Sequence, residues 1–237
     1  MKAIIGGTGL NQWARGEAVP VATGEWGKAS GSIYRIDGGL FMARHGDGHH
    51  TPPHRINYRA NIAALKAAGA TQIVAVNAVG GIAEQAATGC LVLPHDLIDY
   101  TWGREPSFFD GGERGVEHID FTEPFDAALR SDLKACAERL AQPLVDSGVY
   151  AVTQGPRLET AAEVRRLAND GCTIVGMTAM PEAALARELG LAYCSLCLVV
   201  NPAAGLSDQE ITMDDIRAVI AEGMGKVEAV LTRWLAS

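Results

Sequence analysis

Residues 73–81 read Ile-Val-Ala-Val-Asn-Ala-Val-Gly-Gly, four aliphatic positions running into an amide, two more small residues and a glycine pair. The stretch Ile73–Val76 is continuously apolar rather than alternating, the pattern of a strand covered on both faces. Just upstream, residues 58–68 carry Ile62, Leu65 and Ala68 at helical spacing, and Gly69 is placed to end that helix as its cap. A helix feeding a doubly covered strand predicts an α/β fold. The strand is expected to leave the sheet at Asn77 through a glycine turn, and the ends of such strands are where open α/β sheets place ligands.

The same alternation extends in both directions. Upstream, residues 2–5 form a short strand that runs into Gly6-Gly7-Thr8-Gly9, and residues 33–36 and 40–43 flank Asp37-Gly38-Gly39 as a hairpin. Downstream, short strands are expected at 91–93 and 97–100. Residues 101–122, rich in Gly, Asp, Glu and aromatics, form a surface excursion of the length that serves as a lid or contact element. An amphipathic helix follows over 124–140, then a strand over 148–152. The helix over 160–169 is capped by Thr160, with Glu163 completing a capping box. A strand over 174–177, a helix over 181–189 opened by Pro181, a strand over 193–200 and a long helix from about 213 to 235 complete the chain. No repeat, linker or low-complexity tract interrupts it, so residues 1–237 are expected to form one domain.

Composition narrows the function. Hydrophobic residues make up 48% and charged residues 20%, enough apolar surface for a full core. A net charge of -8 argues against nucleic-acid binding, which needs a basic surface, yet leaves room for a small anion held by local donors. The N-terminal apolar run is broken at Gly6, too early for a secretory signal, and no stretch is long enough to span a membrane. Cys194 and Cys197 lie inside the apolar run Tyr-Cys-Ser-Leu-Cys-Leu-Val-Val, which reads as a strand rather than a redox motif. Reduced thiols and a cytoplasmic location are expected.

Five strand ends carry groups that can meet a ligand. The loop at 6–9 offers backbone N–H groups and the Thr8 hydroxyl to a phosphate, although it matches neither the dinucleotide fingerprint nor the P-loop. Arg44-His45 follows a strand directly, and an arginine there presents a planar fork of donors to an oxyanion. His45, His49, His50 and His54 crowd ten residues and raise the question of zinc. Their spacing fits no zinc motif and only Asp47 is acidic nearby, so no metal is expected. Residues 153–160, Thr-Gln-Gly-Pro-Arg-Leu-Glu-Thr, bring a carboxylate, and residues 177–182, Met-Thr-Ala-Met-Pro-Glu, end on a helix N-terminus. Asn201 adds an amide.

Taken in order, GGTGL, ARHG, NYRAN, NAVGGI, GVEHI, TQGPRLET, MTAMPEA and VVNPAAG resemble the trimeric purine-nucleoside phosphorylase family, on its methylthioadenosine-phosphorylase branch. The likeness runs from residue 3 to about 205 and leaves the last helix without a role. It implies a mixed, twisted and partly barrel-like sheet flanked by helices, and phosphate-dependent cleavage of an N-glycosidic bond with no cofactor. The phosphate contacts fall on Thr8, Arg44, His45, Ala78 (through its backbone amide) and Thr178, with Met177 beneath the ribose. His118 corresponds to a histidine lent to a neighbouring subunit, which implies a homotrimer with sites near its interfaces.

The base-reading positions depart from that branch. Asn201 and Ala203 stand where the branch carries aspartates, and Glu159 falls where inosine and guanosine phosphorylases of the family carry a glutamate. An amide donor and a carboxylate acceptor match the O6 and N1–H of a 6-oxopurine. Leu158 replaces an aromatic over the base. The resemblance therefore implies a 5′-methylthio nucleoside of a 6-oxopurine as substrate, with Asn201, Arg44 and His45 as the catalytic set. A 6-amino substrate, a broader purine nucleoside, a hydrolase without phosphate and a non-catalytic zinc or nucleotide module are the alternatives.

Overall fold

The computed structural model describes residues 1–10, 13, 16–208 and 210–237. In chain order it contains β1 (Lys2–Gly6), β2 (Glu17–Val19), β3 (Ile33–Ile36), β4 (Gly39–Ala43), α1 (Tyr58–Ala67), β5 (Gln72–Gly81), β6 (Leu91–Val92) and β7 (Asp96–Asp99). Then follow α2 (Ala127–Arg139), β8 (Leu144–Val145), β9 (Val149–Val152), α3 (Ala161–Asn169), β10 (Ile174–Gly176), α4 (Ala179–Glu188), β11 (Ala192–Pro202) and α5 (Met213–Leu235). The α/β fold class is as expected. β2 and β8 were not foreseen; three- and two-residue strands leave too little pattern to read. Between β7 and α2 only Gly112–Arg114 forms a helical turn, so the excursion at 101–122 is irregular as expected.

Local chemistry explains the helix ends. The Asn57 side chain caps α1 by accepting from Ala60 N, and Gly69 follows the helix at φ +91, a conformation glycine adopts without strain. Thr160 and Glu163 form the reciprocal capping box at α3. Asp126, not Pro124, starts α2.

One expectation is corrected. The chain does not turn at Asn77: β5 continues through Gly81, and neither Gly80 nor Gly81 has positive φ. β5 stays in the sheet because β11 pairs with it in parallel from Gln72 to Gly81. Its opposite edge is shared. β1 pairs there in parallel only as far as Ala75, and β10 joins antiparallel at Gly80 and Gly81. Close packing requires the second glycine: a Cβ on Gly81 would sit 2.0 Å from the Ala86 carbonyl oxygen. The signal read as a strand end is therefore a gap of residues 76–79 on one edge of a continuing strand.

Eleven strands of the described residues join one mixed sheet that branches at β5. β1, β4, β5 and β11 are buried almost throughout, as strands covered on both faces must be. α4 and α5 pack on β11, and α2 packs on α5. α5 lies so close to the sheet that a Cβ on Gly223 would stand 2.8 Å from a Leu198 methyl, whereas one on Gly225 would meet nothing within 4 Å. Two neighbouring glycines should thus respond oppositely to the same change. Gly225→Ala is expected to raise stability by ~0.5–1 kcal/mol by restricting the unfolded chain. Gly223→Ala should lower it by ~1–3 kcal/mol through overpacking. Denaturant midpoints of the two variants check the pair, and equal shifts would contradict this account of the α5 interface.

Candidate active site

The gap in the β5 edge opens into a cavity of about 550 Å³. Thr8, Arg44, His45, Ala78, Leu158, Glu159, Met177, Thr178, Asn201 and Ala203 all line it, so residues spread over nearly 200 positions meet in one place. His118 does not. It is exposed in the excursion and lies outside this cavity.

Arg44 sits at the end of β4 and is 1% exposed. Its Nε and Nη2 donate to the two oxygens of Glu182 at 2.8 and 2.9 Å, and Nη1 donates to the Val76 carbonyl at 2.9 Å. The expected fork for an oxyanion is therefore already occupied by a carboxylate, leaving one N–H on each Nη. Glu182, on α4, is fully buried and also accepts from the Tyr193 hydroxyl at 2.8 Å. Burial alone would lower the Arg44 pKa, but the Glu182 charge and hydrogen bonds hold the guanidinium protonated. The pair brings no net charge to the cavity. Sequence reading quoted Glu182 only as a helix-start residue, and nothing in its local pattern distinguishes it from an ordinary first-turn carboxylate.

The open edge of β5 supplies backbone donors. Peptide groups two residues apart in a strand face the same edge. Since the Val76 carbonyl faces Arg44 across the gap, the Ala78 N–H faces it too. Gly7 lies against this edge so closely that a Cβ there would sit 2.4 Å from the Val76 oxygen and 2.8 Å from Arg44 Nη1. Only glycine lets the loop bearing Thr8 approach. Thr178 caps α4 without spending its side chain on the cap. Its oxygen instead accepts from Asn77 Nδ2 at 2.8 Å, which leaves the hydroxyl proton free for donation.

His45 is 7% exposed and its Nδ1 lies 2.8 Å from the Thr51 carbonyl oxygen. A carbonyl can only accept, so Nδ1 carries the proton and Nε2 is an acceptor. Burial, and then the Arg44 charge, push the His45 pKa down from 6.5 to about 4. The ring stands 4.6 Å from that of His49, whose pKa is also lowered, first by burial and then by His50. A neutral His45 cannot offer positive charge to an anion. Among the described residues no group of three His, Cys, Asp or Glu is arranged to hold a metal ion.

At the other side of the cavity, Asn201 lies where β11 bulges after Val199. Its Nδ2 donates to the Pro202 carbonyl at 2.6 Å, which fixes the nitrogen end of the amide and leaves a second N–H. Glu159 Oε1 accepts from the Thr153 hydroxyl at 2.6 Å. Ala203 is buried and contributes no polar side-chain atom. Leu158 is exposed at the mouth. The last helix, left without a role by sequence, and the residue leading into it close the apolar end: Met213 and Ile216 of α5 line the cavity together with Ile211. The helical spacing of Met213 and Ile216 was legible, but not where that face would dock. Cys194 and Cys197, three apart on β11, face opposite sides, and burial raises both thiols.

A mixed sheet whose split edge gathers hydroxyls, a guanidinium and backbone amides beside an amide–carboxylate pair defines an α/β enzyme of the phosphorylase kind. The chain belongs to the phosphorylase superfamily, whose sequence pattern matches residues 2–236. It is 54% identical over 242 residues to the probable S-methyl-5′-thioinosine phosphorylase of Pseudomonas syringae, covering 99% of this chain and 98% of that one. It is 41% identical over 223 residues to the 6-oxopurine nucleoside phosphorylase of Pyrococcus furiosus, covering 90% and 84%. Among solved structures, the methylthioadenosine phosphorylase of Schistosoma mansoni in complex with adenine superposes with a TM-score of 0.93 at 30% identity, covering 99% and 90%. The protein is a pentosyl-transferring nucleoside phosphorylase. No helix of the described residues is long and apolar enough to cross a membrane.

The His45 shift has a sign that can be measured. Between pH 6.5 and about 4 the unfolded chain takes up a proton that the folded ring refuses, so stability falls as pH drops through that window. His45→Gln should remove this part of the pH dependence, worth up to ~3 kcal/mol. Urea unfolding of both proteins from pH 7 to 4 checks it; parallel curves would contradict a buried neutral imidazole.

Proposed function

We propose that the enzyme cleaves S-methyl-5′-thioinosine with phosphate, giving hypoxanthine and 5-methylthioribose 1-phosphate. The observation that carries this reading is the pairing of Asn201 and Glu159 in one cavity, with Ala203 in place of a second carboxylate. The free N–H of Asn201 suits the O6 and N7 acceptors of a 6-oxopurine, and the Glu159 oxygen not held by Thr153 suits its N1–H. The names of the Pseudomonas and Pyrococcus relatives agree with that choice. The apolar wall of Ile211, Met213 and Ile216 suits a methylthio group better than a hydroxyl.

In this reading phosphate rests among the Thr8 and Thr178 hydroxyls, the Ala78 amide and the free N–H groups of Arg44. Its own O–H donates to His45 Nε2, so a neutral histidine holds an anion by accepting from it. The C1′–N9 bond breaks with its electron pair leaving on the purine, and a phosphate oxygen bonds to C1′. The ribosyl cation that develops is flanked by the phosphate and by Met177. Asn201 disperses the charge growing on the base, a contribution of ~3 kcal/mol for one well-placed donor. Phosphate itself is the nucleophile, so the reaction calls for no metal or organic cofactor. We further propose a cytoplasmic homotrimer in which His118 completes a neighbour's 5′ pocket; the buried, unpaired cysteines support a reducing compartment.

The test is release of free base from methylthioinosine and methylthioadenosine side by side, with and without phosphate. We expect phosphate-dependent turnover favouring the inosine compound. Preference for the adenosine compound, in line with the adenine-bound Schistosoma structure, would reassign the base site. Turnover without phosphate would make the enzyme a hydrolase. Asn201→Asp should then move the ratio of specificity constants toward the 6-amino nucleoside by ~100-fold or more, since a carboxylate cannot donate to O6. An unmoved ratio would remove Asn201 from base recognition.

A further inference from the structure

We propose that Arg104 is a positioning residue that locks the base-reading strand end to the sugar-reading one, and thereby sets nucleoside affinity and base discrimination. The inference rests on the phosphorolysis reading above. Arg104 lies in the irregular excursion and does not line the cavity. Its guanidinium nevertheless reaches the backbone of both walls. Nη2 donates to the Gln154 carbonyl at 2.9 Å and the Thr153 carbonyl at 3.3 Å, at the end of β9. Nη1 donates to the Met177 carbonyl at 2.9 Å and to that of Met180, around the start of α4. The Tyr58 hydroxyl accepts at 3.2 Å, and the cation stands 5.4 Å from that ring.

Two of the held carbonyls, those of Thr153 and Met177, belong to residues that bear on the cavity. Thr153 orients the Glu159 carboxylate through its hydroxyl. Met177 lines the cavity and precedes Thr178. Thr153 N also donates to the Gly176 carbonyl at 2.8 Å where β9 and β10 pair, and beyond that pairing the Arg104 fork holds both segments from one side chain. Trp102 N donating to Gln154 Oε1 at 3.2 Å holds the same excursion in place. A planar fork can span carbonyls on both sides, while a lysine ammonium is a single point. Without the fork the spacing between Glu159 and Met177 loosens, and a misplacement of that kind costs catalysis far more than its contact energy suggests.

The experiment measures kcat and KM of wild type, Arg104→Lys and Arg104→Ala for both nucleosides and for phosphate, with thermal melting alongside. Wild-type turnover tests the phosphorolysis reading first, independently of Arg104. A folded Arg104→Lys should raise the nucleoside KM by about tenfold or more, lower kcat/KM by ~100-fold and narrow the 6-oxo to 6-amino ratio. The phosphate KM should move less than the nucleoside KM, because of the phosphate contacts only Thr178 lies between carbonyls that Arg104 holds, while Thr8, Arg44 and Ala78 do not. Arg104→Ala should show larger changes of the same sign, partly reversed by millimolar methylguanidinium. A folded variant with wild-type KM and ratio, or a loss confined to kcat, would overturn the proposal. So would failure of both variants to fold, which would assign Arg104 to stability alone.

Discussion

Arg44 and Glu182 form an ion pair almost wholly removed from solvent at the wall of the cavity, and the site is arranged around that constraint. A buried guanidinium without a partner is not tolerated, and removing one member of such a pair costs ~3–5 kcal/mol. Here the pair also joins elements far apart in sequence. Arg44 ends β4, Val76 lies on the open edge of β5, Glu182 sits on α4, and Tyr193 belongs to β11. The interaction therefore fixes the width of the gap in the sheet. The cavity exists because β1 stops pairing before β10 begins, and Arg44 holds that opening in shape.

Neutralising the arginine changes how an anion can be recognised. With Glu182 at full contact and His45 held neutral, neither Arg44 nor His45 offers the cavity an uncompensated positive charge. At the proposed site phosphate would be met by oriented dipoles: two hydroxyls, a backbone N–H, and the last guanidinium N–H groups. Such donors cost no reorganisation as charge develops during reaction, which is where preorganised sites gain most. It also explains how a chain with a net charge of -8 can hold a polyanionic co-substrate. The same economy appears at the proposed base site, where Pro202 and Thr153 each take one polar valence of Asn201 and Glu159 and leave the other directed by geometry.

The sequence made most of this legible for physical reasons. β1, the β3–β4 hairpin, α1, the α3 capping box and α5 each carry a local signature: continuous apolar runs, turn glycines, or cap residues at fixed spacing. Many residues that line the cavity were visible because they sit at or just beyond strand ends, where polar groups interrupt apolar runs; Ala78, inside β5, is an exception. What escaped were non-local facts. Residues 77–81 read as a turn because a strand with one open edge and a turn share glycines and small residues; β11, and β10 at Gly80 and Gly81, both far along the chain, keep β5 extended. Glu182 gave no hint that it would meet Arg44. Arg104 looked like one more charge in a polar loop. The apolar face of α5 was plain, but its docking against the mouth depends on Gly9, Gly223 and their neighbours, not on the helix itself.

A crystal structure of the enzyme with phosphate and hypoxanthine bears most directly on the central claim that the opening beside Arg44 holds the anion. The account requires phosphate oxygens within hydrogen-bond distance of Thr8, Ala78 N, Thr178 and an Arg44 Nη, with the Arg44–Glu182 pair intact and Nε2 of His45 facing a protonated oxygen. Phosphate bound elsewhere, or an Arg44 that abandons Glu182 to reach it, would contradict the account.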